Sequence, residues 1–197
     1  MSKIAYQPRK NRRARGFTLI EILVAVTVLG IAALGGTAMI AIGIGRNNSL
    51  RTDTTSANVA QTVVEAIASV QAANDTTVNI VDCGANIISI NTATAVGGLG
   101  APVVTGAPVY PGIGPGDIDF TAGIVPQYQA NYIMCAPNGV QLTYDVRWRI
   151  EPVGLPDPAT GKYFAKLVTV SAQLPLTANG GGIRYSPPVT LRTVVGN

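Results

Sequence analysis

Gly16-Phe17-Thr18-Leu19-Ile20-Glu21 stands between two contrasting segments. Before it come Arg12, Arg13 and Arg15; after it, residues 22–45 run for 24 positions without a charged side chain. As a helix rising about 1.5 Å per residue, that run spans about 36 Å, enough to cross a hydrocarbon core about 30 Å thick. Glu21 belongs to this apolar setting. A charged side chain at the centre of a membrane helix costs about 2.5–3.5 kcal/mol, and less near its end. An acid placed here therefore asks for a function and a partner.

Three readings compete for the stretch. One is a membrane anchor with an incidental acid. A second is a secretory signal peptide cut near Ala41-Ile42-Gly43, although the apolar run exceeds the usual h-region of about 7–15 residues. The third places the cut between Gly16 and Phe17, so that the basic leader is lost and the helix stays on the mature chain. Here Gly-Phe-Thr-Leu-Ile-Glu after a short basic leader resembles the prepilin signature of type IV pilins and type II secretion pseudopilins, over about residues 10–45.

The resemblance implies that a prepilin peptidase cleaves after Gly16 and that Phe17 becomes an N-methylated terminus. It also implies that Glu21, fifth in the mature chain, faces the terminal amine of a neighbouring subunit. The physics agrees, because a buried carboxylate beside a cationic amine is tolerable, whereas either group alone is an uncompensated buried charge. Other pilin or pseudopilin subunits (in a homo- or hetero-polymer), an inner-membrane assembly platform and the membrane itself complete the implied partners.

Charge supports export of the chain beyond the leader. The formal net charge is +4, from 14 basic and 10 acidic side chains. Lys3, Arg9, Lys10, Arg12, Arg13 and Arg15 lie in the leader, leaving eight basic against ten acidic residues and a balance of −2. The basic pI thus describes the leader, and no nucleic-acid partner is expected. Basic residues before the helix favour a cytoplasmic N-terminus. The expectation is a single-pass inner-membrane protein before assembly, then a periplasmic or cell-surface filament. In an oxidising compartment Cys83 and Cys135 are most simply a disulfide, contributing about 3–4 kcal/mol by loop-entropy arguments. Two buried free thiols, or a metal pair in a chain without histidine, are the alternatives.

Taken in order, residues 1–16 read as the leader and 17–45 as the transmembrane, assembly half of a long helix. Residues 46–75 read as its amphipathic half and 76–197 as a periplasmic or extracellular β-sheet domain. Ala60, Val63, Val64, Ile67 and Val70 form the apolar stripe, at three- and four-residue spacing, and the helix is expected to end near Asn74-Asp75. Gly35-Gly36 leaves its continuity open. Residues 78–81 and 87–90 suggest short strands. Residues 97–116 hold seven glycines and four prolines, which predicts an irregular loop. Tyr144, Val146, Trp148 and Ile150 alternate with Asp145, Arg147, Arg149 and Glu151, so this strand has a dry side and a wet one; Pro152 is expected to stop it. Further strands are predicted over 131–135, 163–174 (with a bulge near Lys166-Leu167) and 189–195. The fold class is α+β and pilin-like: a long N-terminal hydrophobic helix packed on an antiparallel sheet of about four strands.

Catalytic chemistry is sparse. There is no histidine, and no P-loop, Gly-x-Ser-x-Gly or dinucleotide motif. Asp117-Ile118-Asp119 has Thr121 at the third ligand position of a calcium loop and Tyr128 where its glutamate belongs, so it reads as a turn. Arg147-Trp148-Arg149 could stack a base, but alternation separates Trp148 from both arginines and favours a core tryptophan with solvated charges. No enzyme, cofactor or metal is expected. The function predicted is a structural subunit, major or minor, of a type IV pilus or related filament. The alternatives are a type II secretion pseudopilin and a membrane-tethered periplasmic binding module that never polymerises.

Overall fold

The computed structural model describes residues 17–106, 113–136, 139–175 and 187–196. The basic leader with Gly16, residues 107–112 of the Gly/Pro-rich stretch, Pro137-Asn138 and the triple glycine 180–182 lie outside the described residues. The chain divides into two compact units, Met1–Arg46 and Asn47–Asn197. One helix, α1 (Leu19–Ala68), contributes to both. Within the first unit every described side chain is exposed. Apolar residues surround the helix there, the pattern of a segment that another apolar phase must cover.

In the second unit α1 is one-sided. Ser56, Val59, Ala60, Val63 and Ile67 are buried, while Val64 and Val70 of the expected stripe are only partly covered. The helix stops at Ala68, six residues before Asn74. There Ser69 Oγ donates to the Ala66 carbonyl at 2.7 Å, and the Val70 N–H turns to Ile67, three residues back. No basic side chain in the last turn steadies its free carbonyls, and Asp75 in a longer helix would oppose the helix dipole.

The strands are β1 (Thr77–Val81), β2 (Ile87–Asn91), β3 (Leu99–Gly100), β4 (Gln129–Cys135), β5 (Gln141–Val153), β6 (Ala165–Gln173) and β7 (Val189–Gly196). β4 to β7 form an antiparallel meander, and β3 joins the β4 side of β5 further along, at Leu99 opposite Ile150. β1 and β2 form a hairpin of their own. The α+β class holds, with one more sheet than the sequence suggested.

Two local expectations fail. β5 runs through Pro152, which pairs with Lys166. The Trp148 N–H and carbonyl both face the β3/β4 side. Backbone direction repeats every second residue, so the nitrogen of Pro152 faces the same side, beyond the start of β3, and no ladder bond is lost. Nor is there a bulge at Lys166-Leu167, since the β5–β6 register is continuous from Asp145–Gln173 to Val153–Ala165. Lys166 instead sits on the core face with Val168, Val170 and Ala172. Its ammonium donates to Asp75 at 2.9 Å, to the Thr92 carbonyl at 2.9 Å and to the Asn74 carbonyl at 3.3 Å.

The core joins the helix stripe to Tyr144, Val146, Trp148, Ile150, Val168 and Val170. Each fully buried apolar side chain of this size contributes about 1.5–3 kcal/mol. The hairpin is fastened to the main sheet at three successive carbonyls at and after the end of β2. Trp148 Nε1 donates to Asn91, Lys166 to Thr92 and the Tyr128 hydroxyl to Ala93.

Candidate functional site

The start of α1 is a reciprocal cap. Thr18 lies outside the helix; its hydroxyl oxygen accepts the Glu21 N–H at 3.3 Å, and its carbonyl accepts the N–H groups of Glu21 and Ile22. In return Glu21 Oε2 accepts the Thr18 N–H at 3.1 Å and the Thr18 hydroxyl at 3.2 Å. This is a capping box, with Thr18 at the N-cap and Glu21 three residues on. The acid therefore satisfies its own helix terminus and favours the positive end of the dipole. Both bonds use Oε2. Phe17 precedes the cap, outside the helix and 84% exposed. Thr-x-x-Glu before an apolar run is the sequence signal for this arrangement, and the membrane cost of Glu21 overshadows it.

A second set of polar residues gathers on the outer face of the sheet, away from the helix. Arg147 is not solvated as expected but 7% exposed. It pairs with Asp145 at 2.9 Å, donates to the carbonyls of Asp119 and Ala122, and lies over the Phe120 ring at 4.8 Å. Arg149 donates to the Gly97 carbonyl at 2.6 Å, and Arg192 pairs with Asp117 at 2.8 Å. Three arginines on one face thus hold the glycine-rich segment and the turn after it. Charge-free loops leave carbonyls in need of donors, and these side chains provide them. Gly100 makes the approach possible: its φ is 123°, and a Cβ there would run into the Trp148 carbonyl.

Asp117-Ile118-Asp119 is engaged internally, Asp117 by Arg192 and Asp119 by the hydroxyl and N–H of Thr121. The Thr121 hydroxyl is the main cause that holds the Asp119 carboxyl below its usual range. Among the described residues no group of three or more His, Cys, Asp or Glu side chains gathers as a metal site would. Cys83 and Cys135 are disulfide-bonded, with Cα atoms 5.9 Å apart. Beside them Asp82 accepts the Asn86 side-chain amide at 3.0 Å, the Asn86 N–H and the Ile133 N–H. The Asn86 amide is the first cause depressing the Asp82 pKa. Burial raises the phenols of Tyr128, Tyr132 and Tyr144.

The assembled parts are an apolar helix with one capped acid near its start, and a sheet unit in which Arg147, Arg149 and Arg192 are engaged by its own loops. Together with the N-terminal motif, that combination fits a structural subunit anchored in a membrane before assembly. A family profile for the prokaryotic N-terminal methylation motif matches residues 11–37. The chain carries the N-terminal signature of type IV pilins and pseudopilins. No curated protein and no solved structure matches it.

Proposed function

We propose that the chain is a subunit of a type IV pilus, cut by prepilin peptidase between Gly16 and Phe17 and N-methylated at Phe17. The mature chain polymerises through α1, with Glu21 meeting the Phe17 amine of an adjoining subunit. The observation that carries this reading is the methylation motif at residues 11–37, on a chain whose helix α1 runs without a charge from 22 to 45. Glu21 adds to it, because its Oε1 takes no bond from Thr18 and is available to a second donor. The sheet unit, with its disulfide, is exported to the periplasm and presented along the filament.

Shearing cells and probing the detached fraction tests the assignment. A pilin is recovered there as filaments that also depend on an inner-membrane assembly platform. Recovery in the periplasm and membrane alone, with loss of secreted enzymes on deletion, assigns the chain to a secretion pseudopilus instead. A chain that stays monomeric in the membrane is a tethered module, and the proposal is wrong.

A further inference from the structure

We propose that Thr18 is a positioning residue for leader removal, because it ends α1 just short of the Gly16–Phe17 bond. The inference rests on the cleavage reading above and adds what keeps α1 from reaching that bond. Helical structure begins at Leu19, with Phe17 and Thr18 outside it. The cap bonds require this: Thr18 accepts the Glu21 N–H through its side chain only from a non-helical backbone, and Glu21 Oε2 answers through the Thr18 N–H.

A peptide bond inside a helix has its polar groups engaged and its flanks enclosed. Proteolysis accordingly concentrates where the backbone is free of regular structure. The residues before the cap do little to stop a helix by themselves. Ala14 and Arg15, like Arg12 and Arg13, are good helix formers, and only Gly16 opposes. Once a helix is nucleated, adding residues to its end is easy. Without the cap, α1 would extend over the scissile bond in a fraction of molecules. The peptidase would then meet a smaller competent population, and its apparent affinity would fall by that fraction. The signature belongs in KM rather than kcat.

The test uses the full-length chain in phospholipid vesicles with a purified prepilin peptidase. Initial rates are measured over a range of substrate, and the new N-terminus is read by mass spectrometry. Thr18→Leu removes the cap and favours helix; Thr18→Asp keeps a capping oxygen. Thr18→Leu is expected to raise KM by up to about fivefold, the full worth of a typical N-cap, with kcat little changed. Thr18→Asp is expected to stay within about twofold of the parent chain. The Phe17 Cα chemical shift should move toward helical values in the leucine variant alone.

An unchanged KM for Thr18→Leu overturns the proposal, and so does an aspartate variant as slow as the leucine one. If the parent chain is not cut after Gly16, the cleavage reading itself fails and takes this inference with it. That outcome differs from a normal cut that ignores residue 18.

Discussion

In residues 17–46 every side chain is exposed and apolar groups lie all round the helix, whereas from Ser56 onward the same helix buries one stripe against a sheet. The first region makes its polar contacts locally. Thr18 pairs with Glu21, and Thr27 donates to the carbonyls of Leu23 and Val24. The second region makes many of its contacts across long sequence distances: Lys166 with Asp75, Arg149 with Gly97, Trp148 with Asn91. One part of the chain is built to be completed by other molecules, and the other completes itself. Damage to each should therefore be read out by different experiments.

The largest effect expected is on assembly. Glu21→Gln keeps an acceptor for the cap but loses the charge. Filament incorporation should fall about a hundredfold, as when one member of a buried ion pair is removed. Thermal unfolding of the sheet unit should not move. Immunoblots of sheared filaments and a calorimetric scan check the two halves of this expectation.

Trp148→Ala attacks the other region. Removing the largest fully buried side chain should cost about 3–5 kcal/mol. Denaturant titration of the sheet unit reads that loss, while fractionation should still find the chain in the membrane. Loss from the membrane would show that the two regions are not independent.

Arg147→Met sharpens the picture within the sheet unit. It strands the carbonyls of Asp119 and Ala122 and costs about 2 kcal/mol, with faster amide exchange confined to residues 113–125. Exchange spread over β5 and β6 would mean that the arginine supports the sheet rather than the loop.

The smallest effect is one of acidity. Asp82 has a pKa lowered from 3.8, because its ionised form is held chiefly by the Asn86 side chain. Its contribution is complete above the unfolded value and is lost as pH falls through the lower folded value. Protection of the Asn86 and Ile133 amides, relative to their intrinsic exchange rates, should fall below about pH 3.8 in the parent chain. In Asp82→Asn the protection should show no such fall with pH.

How much is legible in the sequence follows the same division. The charge-free run announces the first half of α1, and strict alternation announces β5, because both patterns lie in adjacent residues. Lys166 on the core face looks in sequence like a change of parity, and hence a bulge. Its acceptors at Asn74, Asp75 and Thr92 lie 74 to 92 residues away. Arg147 looks solvated for the same reason, since the carbonyls that claim it belong to a segment with no periodicity. Pro152 depends on which side of the strand its nitrogen faces, a matter of sheet order. The cap at Thr18 is different: its spacing is visible, and a stronger expectation about Glu21 hides it.

The central claim is that the mature chain begins at a new amine which Glu21 of a neighbour can meet. Intact-mass and terminal-peptide analysis of the protein recovered from cells tests it most directly. The account predicts a chain starting at Phe17 and carrying one N-methyl group. A retained leader, or a terminus near Gly43, contradicts it.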